Sequence, residues 1–189
     1  MVGRTKWMPI GIATVLHFLV DGFCLCCLYM MTKAVSTTDL LTLFLSYNIV
    51  AFMTQPLTGW WTDRLSHLQK TLFLSICLLT AAAVMLMADA LWCGFTSFST
   101  IIVAILLGMG NSLFHVWGGK LTAVLTGNDM RALGIFVSTG IMGLAIGAIY
   151  ASWWLIAWML LSITISPLLL PQRRGVQVSN SFTSEALPP

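Results

Sequence analysis

Between Trp7 and Leu170 the chain breaks into six apolar stretches, each close to the roughly 20 residues that a helix needs to cross a hydrocarbon core about 30 Å thick. They run Trp7–Met31, Leu40–Thr62, Thr71–Leu91, Phe98–Gly119, Ala132–Tyr150 and Trp153–Leu170, bounded by charge, Trp, Gly or Pro. Spanning strands would alternate over about 10 residues with polar inward positions, and no such alternation is present. Of 189 residues, 58% are hydrophobic and 8% charged, against about a quarter charged in a soluble domain. A water-soluble fold of this size has no room to hide that much apolar surface. The sequence predicts an all-α membrane protein with six transmembrane helices in one domain, residues 1–171. A polar, Ser-rich tail, residues 172–189, reads as disordered.

Seven of the eight tryptophans fall at predicted span ends, where an amphipathic indole favours the headgroup zone; Trp158 alone sits inside a span. With six spans both termini share one side. That side collects Arg4, Lys6, Arg64, Lys70, Lys120, Arg131, Arg173 and Arg174, and Lys33 stands alone on the other. The positive-inside rule makes the crowded side cytoplasmic, placing a multi-pass protein in the cell (inner) membrane with both ends inside. The net charge of +3 then reports topology, so no nucleic-acid partner is expected. The first span is too long for a cleavable signal and reads as a signal anchor. Five cysteines, four of them inside spans, make no disulfide framework.

Ionisable and polar groups within the spans ask for a reason. His17, Asp21 and Cys24 follow each other at i, i+4 and i+7 on one face of the first helix, with Asp21 near mid-span. A neutral His–Asp hydrogen bond that locks packing is the plain reading. A proton site is the functional one, because low dielectric favours a protonated carboxyl and imidazole titrates near neutrality. In the fourth span Asn111 and His115 share a face, as interhelical glue or as cavity lining, with Asn48 and Gln55 of the second span as weaker cases. Thr71–Ala88 of the third span contains no ionisable group and the sixth span offers only hydroxyls, so both read as lipid-exposed. Gly140, Gly143 and Gly147 form a small-residue stripe for close helix packing.

Gly59-x-x-x-Asp63-Arg64, between the second and third spans, resembles the loop signature of the major facilitator superfamily. The His17–Asp21 pair, the stretch QPLTG at Gln55–Gly59, GNSLFH at Gly110–His115 and GIMGLAIG at Gly140–Gly147 are similar to its fosmidomycin-resistance branch of drug exporters. Val116, Ile141 and Ala148 depart from that branch's pattern. The resemblance covers five spans. It implies the N-terminal half of a two-half bundle, a cavity lined by the first and fourth helices, and alternating access with Asp63 and Arg64 as a cytoplasmic latch. The function expected is transport, with efflux the direction the branch implies, of a small organic molecule. Asp21 and His17 would exchange a proton, and Asn111 and His115 would touch substrate. A parallel homodimer or a second six-helix half would complete the bundle.

The alternative is a non-transporting fragment or a regulatory membrane partner of a full-length carrier. An intramembrane hydrolase built on Ser112 and His115 has no GxSxG elbow, and the chain reads as no enzyme. Metal handling by His17, Asp21 and Cys24, with Cys26 and Cys27 nearby, is a further class. The expectation carried forward holds no metal and no cofactor, with the lipid bilayer and a small-molecule substrate as partners.

Overall fold

The computed structural model describes residues 4–32, 35–65 and 68–170. Among these the chain is helical almost throughout and contains no strand. The helices are α1 (Arg4–Thr32), α2 (Thr37–Asn48), α3 (Gln55–Arg64), α4 (Leu68–Ala88), α5 (Ser97–Thr126), α6 (Met130–Ile149) and α7 (Trp153–Leu169), with π-helical turns at Ile49–Met53 and Asp89–Cys93. The expected tail at 172–189 lies outside the described residues, as do Lys33, His67, Arg173 and Arg174.

The boundaries have local causes. Ser36 caps α2 by accepting from the Asp39 amide, and Thr96 and Ser99 form a reciprocal capping box at the start of α5. Asp129 caps α6 through the Arg131 amide, and Ser152 caps α7 through Leu155. The Arg131 guanidinium beside Asp129 also holds that carboxyl below the usual carboxylate range. A depressed pKa contributes stability at neutral pH, and that contribution fades as the pH falls through the lowered value. Gly127 and Asn128, both at φ 65°, turn the chain out of α5 through the left-handed region.

Four helices are long and apolar enough to cross a membrane: Trp7–Thr32, Leu68–Trp92, Ser97–Thr126 and Met130–Ile149. The second predicted span, Leu40–Thr62, is not one straight helix. It bends by 41° between Met53 and Gln55, where Pro56 in the first turn of α3 withdraws a backbone donor and the preceding turn widens to π geometry. Counted as one span, the bent pair makes a fifth. α7 has 17 residues, a rise of about 25 Å, which is shorter than the full core.

α1 and α5 are the hub. α1 packs on α5, α6 and α7, and α5 packs on α1, α2, α3, α4 and α6. The third and sixth spans, expected to lie open to lipid, each bury one face against the bundle and leave the other exposed. α4 buries Thr71, Leu72, Ser75, Ile76 and Leu79 among others, and Ser75 Oγ donates to the Gly110 carbonyl at 2.6 Å. Phe73 and Val84 on its other side are exposed, as are Trp154 and Leu168 on α7. So much outward apolar surface exceeds what a soluble monomer presents, and fits a lipid-facing exterior.

The tightest seam joins α1 to α6. A Cβ added at Gly143 would land on the Phe18 carbonyl, and one at Gly147 on the Gly22 carbonyl. Gly22 answers from α1, with the Gly143 carbonyl oxygen 2.9 Å from where its own Cβ would be. Backbone therefore meets backbone, which maximises dispersion contact where burying apolar surface gains little over lipid. Gly134, by contrast, has nothing within 4 Å of an added Cβ. Gly143→Val should lose at least about 1–3 kcal/mol to overpacking, whereas Gly134→Ala, inside α6 with open space at its Cβ, should be neutral or stabilising by up to about 1 kcal/mol. Unfolding by SDS in mixed micelles reads both.

Candidate functional site: a buried carboxylate between two imidazoles

Two helices bring three ionisable side chains to one point. His17 and Asp21 are one turn apart on α1, and His115 comes from α5. Asp21 Oδ2 lies 3.2 Å from His17 Nε2, Asp21 Oδ1 lies 3.0 Å from His115 Nε2, and the two Nε2 atoms are 3.0 Å apart. Side-chain exposure is 2% for His17, 6% for Asp21 and 17% for His115. The cluster is therefore buried, and His115 is its most open member.

Each ring is held from behind. His17 Nδ1 donates to the Phe136 carbonyl at 2.6 Å, and the Phe136 ring stacks on the imidazole with centroids 4.4 Å apart. Gly118 makes room for that ring, because a Cβ there would strike it. His115 Nδ1 is 3.4 Å from Gln55 Nε2, whose amide also donates to the Ala51 carbonyl at 3.1 Å. Gly140 closes the cluster from α6, since a Cβ at this position would fall on Asp21 Oδ2 and crowd His17 Nε2. The same stripe that packs α6 on α1 thus leaves the volume that the carboxylate fills.

Hydrogen accounting shows what the cluster can do. With its hydrogen on Nδ1, a neutral His17 offers a lone pair at Nε2. With Gln55 donating to its Nδ1, a neutral His115 carries its hydrogen on Nε2, directed at Asp21 Oδ1 and His17 Nε2. His17 Nε2 and Asp21 Oδ2 then face each other as two acceptors. One additional proton between them removes the conflict and brings the cluster to zero net charge, the state that low-dielectric surroundings favour.

The remaining candidates are placed differently. Asn111 is buried but does not touch the cluster. Its Nδ2 donates to Tyr47 Oη at 2.8 Å, while its Oδ1 has no partner among the described residues. Gln55 reaches His115, whereas Asn48 is exposed and bonds the Phe44 carbonyl of its own helix. Cys24 Sγ lies 3.9 Å from the Leu107 carbonyl, so the third donor beside His17 and Asp21 is His115. Ser112 Oγ is engaged by Thr54 at 3.0 Å and Thr58 at 3.1 Å. Among the described residues no hydrogen bond joins Ser112 to His115, the contact a nucleophile and its base would share. In the loop motif, Asp63 pairs with Lys120 of α5 and the Arg64 guanidinium stacks over Trp60 at 3.5 Å. Gly59 has open space around it.

Tyr47, Phe136, Gly22 and Thr54 were not singled out from the sequence, and neither was the contact of Ser112 with Thr54 and Thr58. The i, i+4, i+8 recurrence of Thr54, Thr58 and Thr62 was a legible signal for a polar face. The Phe136 carbonyl had none, because any residue there supplies one.

Removing one imidazole should strand the carboxylate. His115→Ala leaves Asp21 Oδ1 without its partner and should cost about 1–3 kcal/mol. Ser138→Ala, at an exposed hydroxyl bonded to the Ile135 carbonyl of its own helix, should cost under about 0.5 kcal/mol in the same SDS unfolding assay. No protein-family model, curated protein or solved structure matches the chain, and the functional reading rests on the geometry above.

Proposed function

We propose that the chain is a membrane carrier, moving a small organic molecule by alternating access with a proton loaded at His17, Asp21 and His115. The observation that carries this reading is Asp21, a carboxylate buried at mid-helix and bridging two imidazoles on separate helices. An intramembrane acid marks an ion or substrate pathway by default. Drawing His115 from α5 ties protonation to the relative position of two helices, which is what coupling requires.

In this reading the bent α2–α3 pair counts as one span and α7 as the sixth, so both termini share the cytoplasmic side with most of the Lys and Arg residues. The arrangement is that of half a major-facilitator-type bundle, and a second copy in parallel, or another six-helix half, supplies the opposite wall. Polar groups on α1 and α5, and the bend that sets Gln55 and Phe52 beside His115, support a cavity on this side of the bundle. Asp63 and Lys120 tie α3 to α5 at the loop end. Being largely exposed at Asp63, the pair is worth at most about 1 kcal/mol, weak enough to open during a cycle.

The test is proton movement in proteoliposomes loaded with a pH-sensitive dye and challenged with a panel of small organic molecules. Wild type should show substrate-elicited proton movement. Asp21→Asn, which keeps the shape and removes the charge, should reduce it at least about tenfold, the equivalent of ~1.4 kcal/mol. Equal movement in both would remove the proton role, and none with any compound, in folded protein whose detergent-corrected mass is that of a dimer, would remove the carrier.

A further inference from the structure

The three donors that share a proton also have the composition and spacing of a transition-metal site. We infer that His17 Nε2, His115 Nε2 and an Asp21 carboxylate oxygen bind one divalent first-row transition ion, with zinc(II) the best match.

Two imidazole nitrogens and one carboxylate oxygen are a borderline-soft donor set, suited to zinc and its neighbours and not to the oxygen-only preferences of calcium or magnesium. One ligand atom from each residue lies within 4.8 Å of the others. The contacts between them are 3.0 Å for the two nitrogens, 3.0 Å for His115 and Asp21, and 3.2 Å for His17 and Asp21. Ligands about 2.05 Å from a tetrahedral zinc stand roughly 3.3 Å apart, so the triangle needs to open by only a few tenths of an ångström. Three protein ligands leave a fourth position for water or hydroxide. Hydroxide there would bring the divalent ion and the single carboxylate to neutrality.

The supports behind the rings are those a metal site needs. The Phe136 carbonyl accepts from His17 Nδ1, which commits the Nε2 lone pair to the cluster, as in ligating histidines. At His115 the hydrogen moves to Nδ1 when an ion takes Nε2, and Gln55 accepts it by turning its amide so that Oε1 faces the ring. Access runs past His115, the most exposed of the three, beside the half-exposed Phe52 at the α2–α3 bend. The chain has three histidines, and two of them meet here.

Binding stands on the donor geometry alone; that a bound ion is moved rather than held would rest on the carrier reading above. The experiment therefore reads binding without flux. Tag-free, full-length protein in mild detergent is titrated with cobalt(II), followed by the visible absorption of four-coordinate cobalt, and then with zinc(II) in competition. The expected result is one cobalt per chain with that absorption, displaced by one zinc. Asp21→Asn and His115→Gln should each weaken cobalt binding at least about a hundredfold, more than loss of an outer-shell partner does, and His67→Gln should leave it unchanged. Far-UV circular dichroism confirms that each variant is helical. If a variant does not fold, wild type alone still decides, through stoichiometry and competition. Absence of the four-coordinate band in wild type, or its persistence at full affinity in folded Asp21→Asn, overturns the inference. Either result leaves the proton-flux test standing, and a carrier that fails that test can still bind the ion.

Discussion

A carboxylate in the middle of an apolar helix is the constraint around which the rest is arranged. Asp21 is buried, so its oxygens call for hydrogen-bond partners within the protein. His17, one turn away, serves one oxygen, and His115, from α5, serves the other. The need then spreads outward. The imidazoles must present particular nitrogens, so the Phe136 carbonyl and the Gln55 amide are placed behind them. Phe136 must reach His17, so Gly118 is bare. α6 must come close enough to bring Phe136 in without striking the carboxylate, so Gly140 is bare as well.

Helix packing and site chemistry are thereby one design. In lipid, apolar burial hardly distinguishes a helix pair from a helix in contact with acyl chains, so association relies on close backbone approach and on polar contacts. The α1–α6 seam supplies the first through Gly22, Gly143 and Gly147, and the α1–α5 contact supplies the second through the His–Asp–His cluster. Hydroxyl contacts of Ser112 with Thr54 and Thr58, and of Ser75 with the Gly110 carbonyl, extend the same logic to α3 and α4. This explains why α1 and α5 are the hub although neither is the most hydrophobic helix by composition.

Much of this was legible in the sequence, and the reasons are specific. Helical class and approximate span positions follow from apolar run length, which bilayer thickness makes nearly a ruler. His17 and Asp21 were recognisable as a pair because one helical turn separates them. His115 could be marked as polar and buried, but not as Asp21's partner, since 94 residues intervene and only tertiary packing closes that gap. Asn111, equally prominent in the sequence, proves to serve Tyr47, because a shared helix face does not say which neighbour lies across it. The break in the second span was foreshadowed by Pro56, yet the π turn before it depends on how the widened backbone is accommodated. Contacts made by a main-chain carbonyl, such as that of Phe136, leave no mark on residue identity at all.

The sequence separation within the cluster has a consequence for biosynthesis. α1 leaves the ribosome with its carboxylate long before α5 exists. At about 5–20 residues per second, 94 residues amount to roughly 5–20 s during which Asp21 has only His17 to lean on. A helix carrying a lone acid would be a poor candidate for partitioning from the translocon into lipid. With an imidazole one turn away the acid enters as a hydrogen-bonded, charge-neutral unit. The i, i+4 spacing within α1 thus gives the carboxylate a partner that does not wait for α5 to be made.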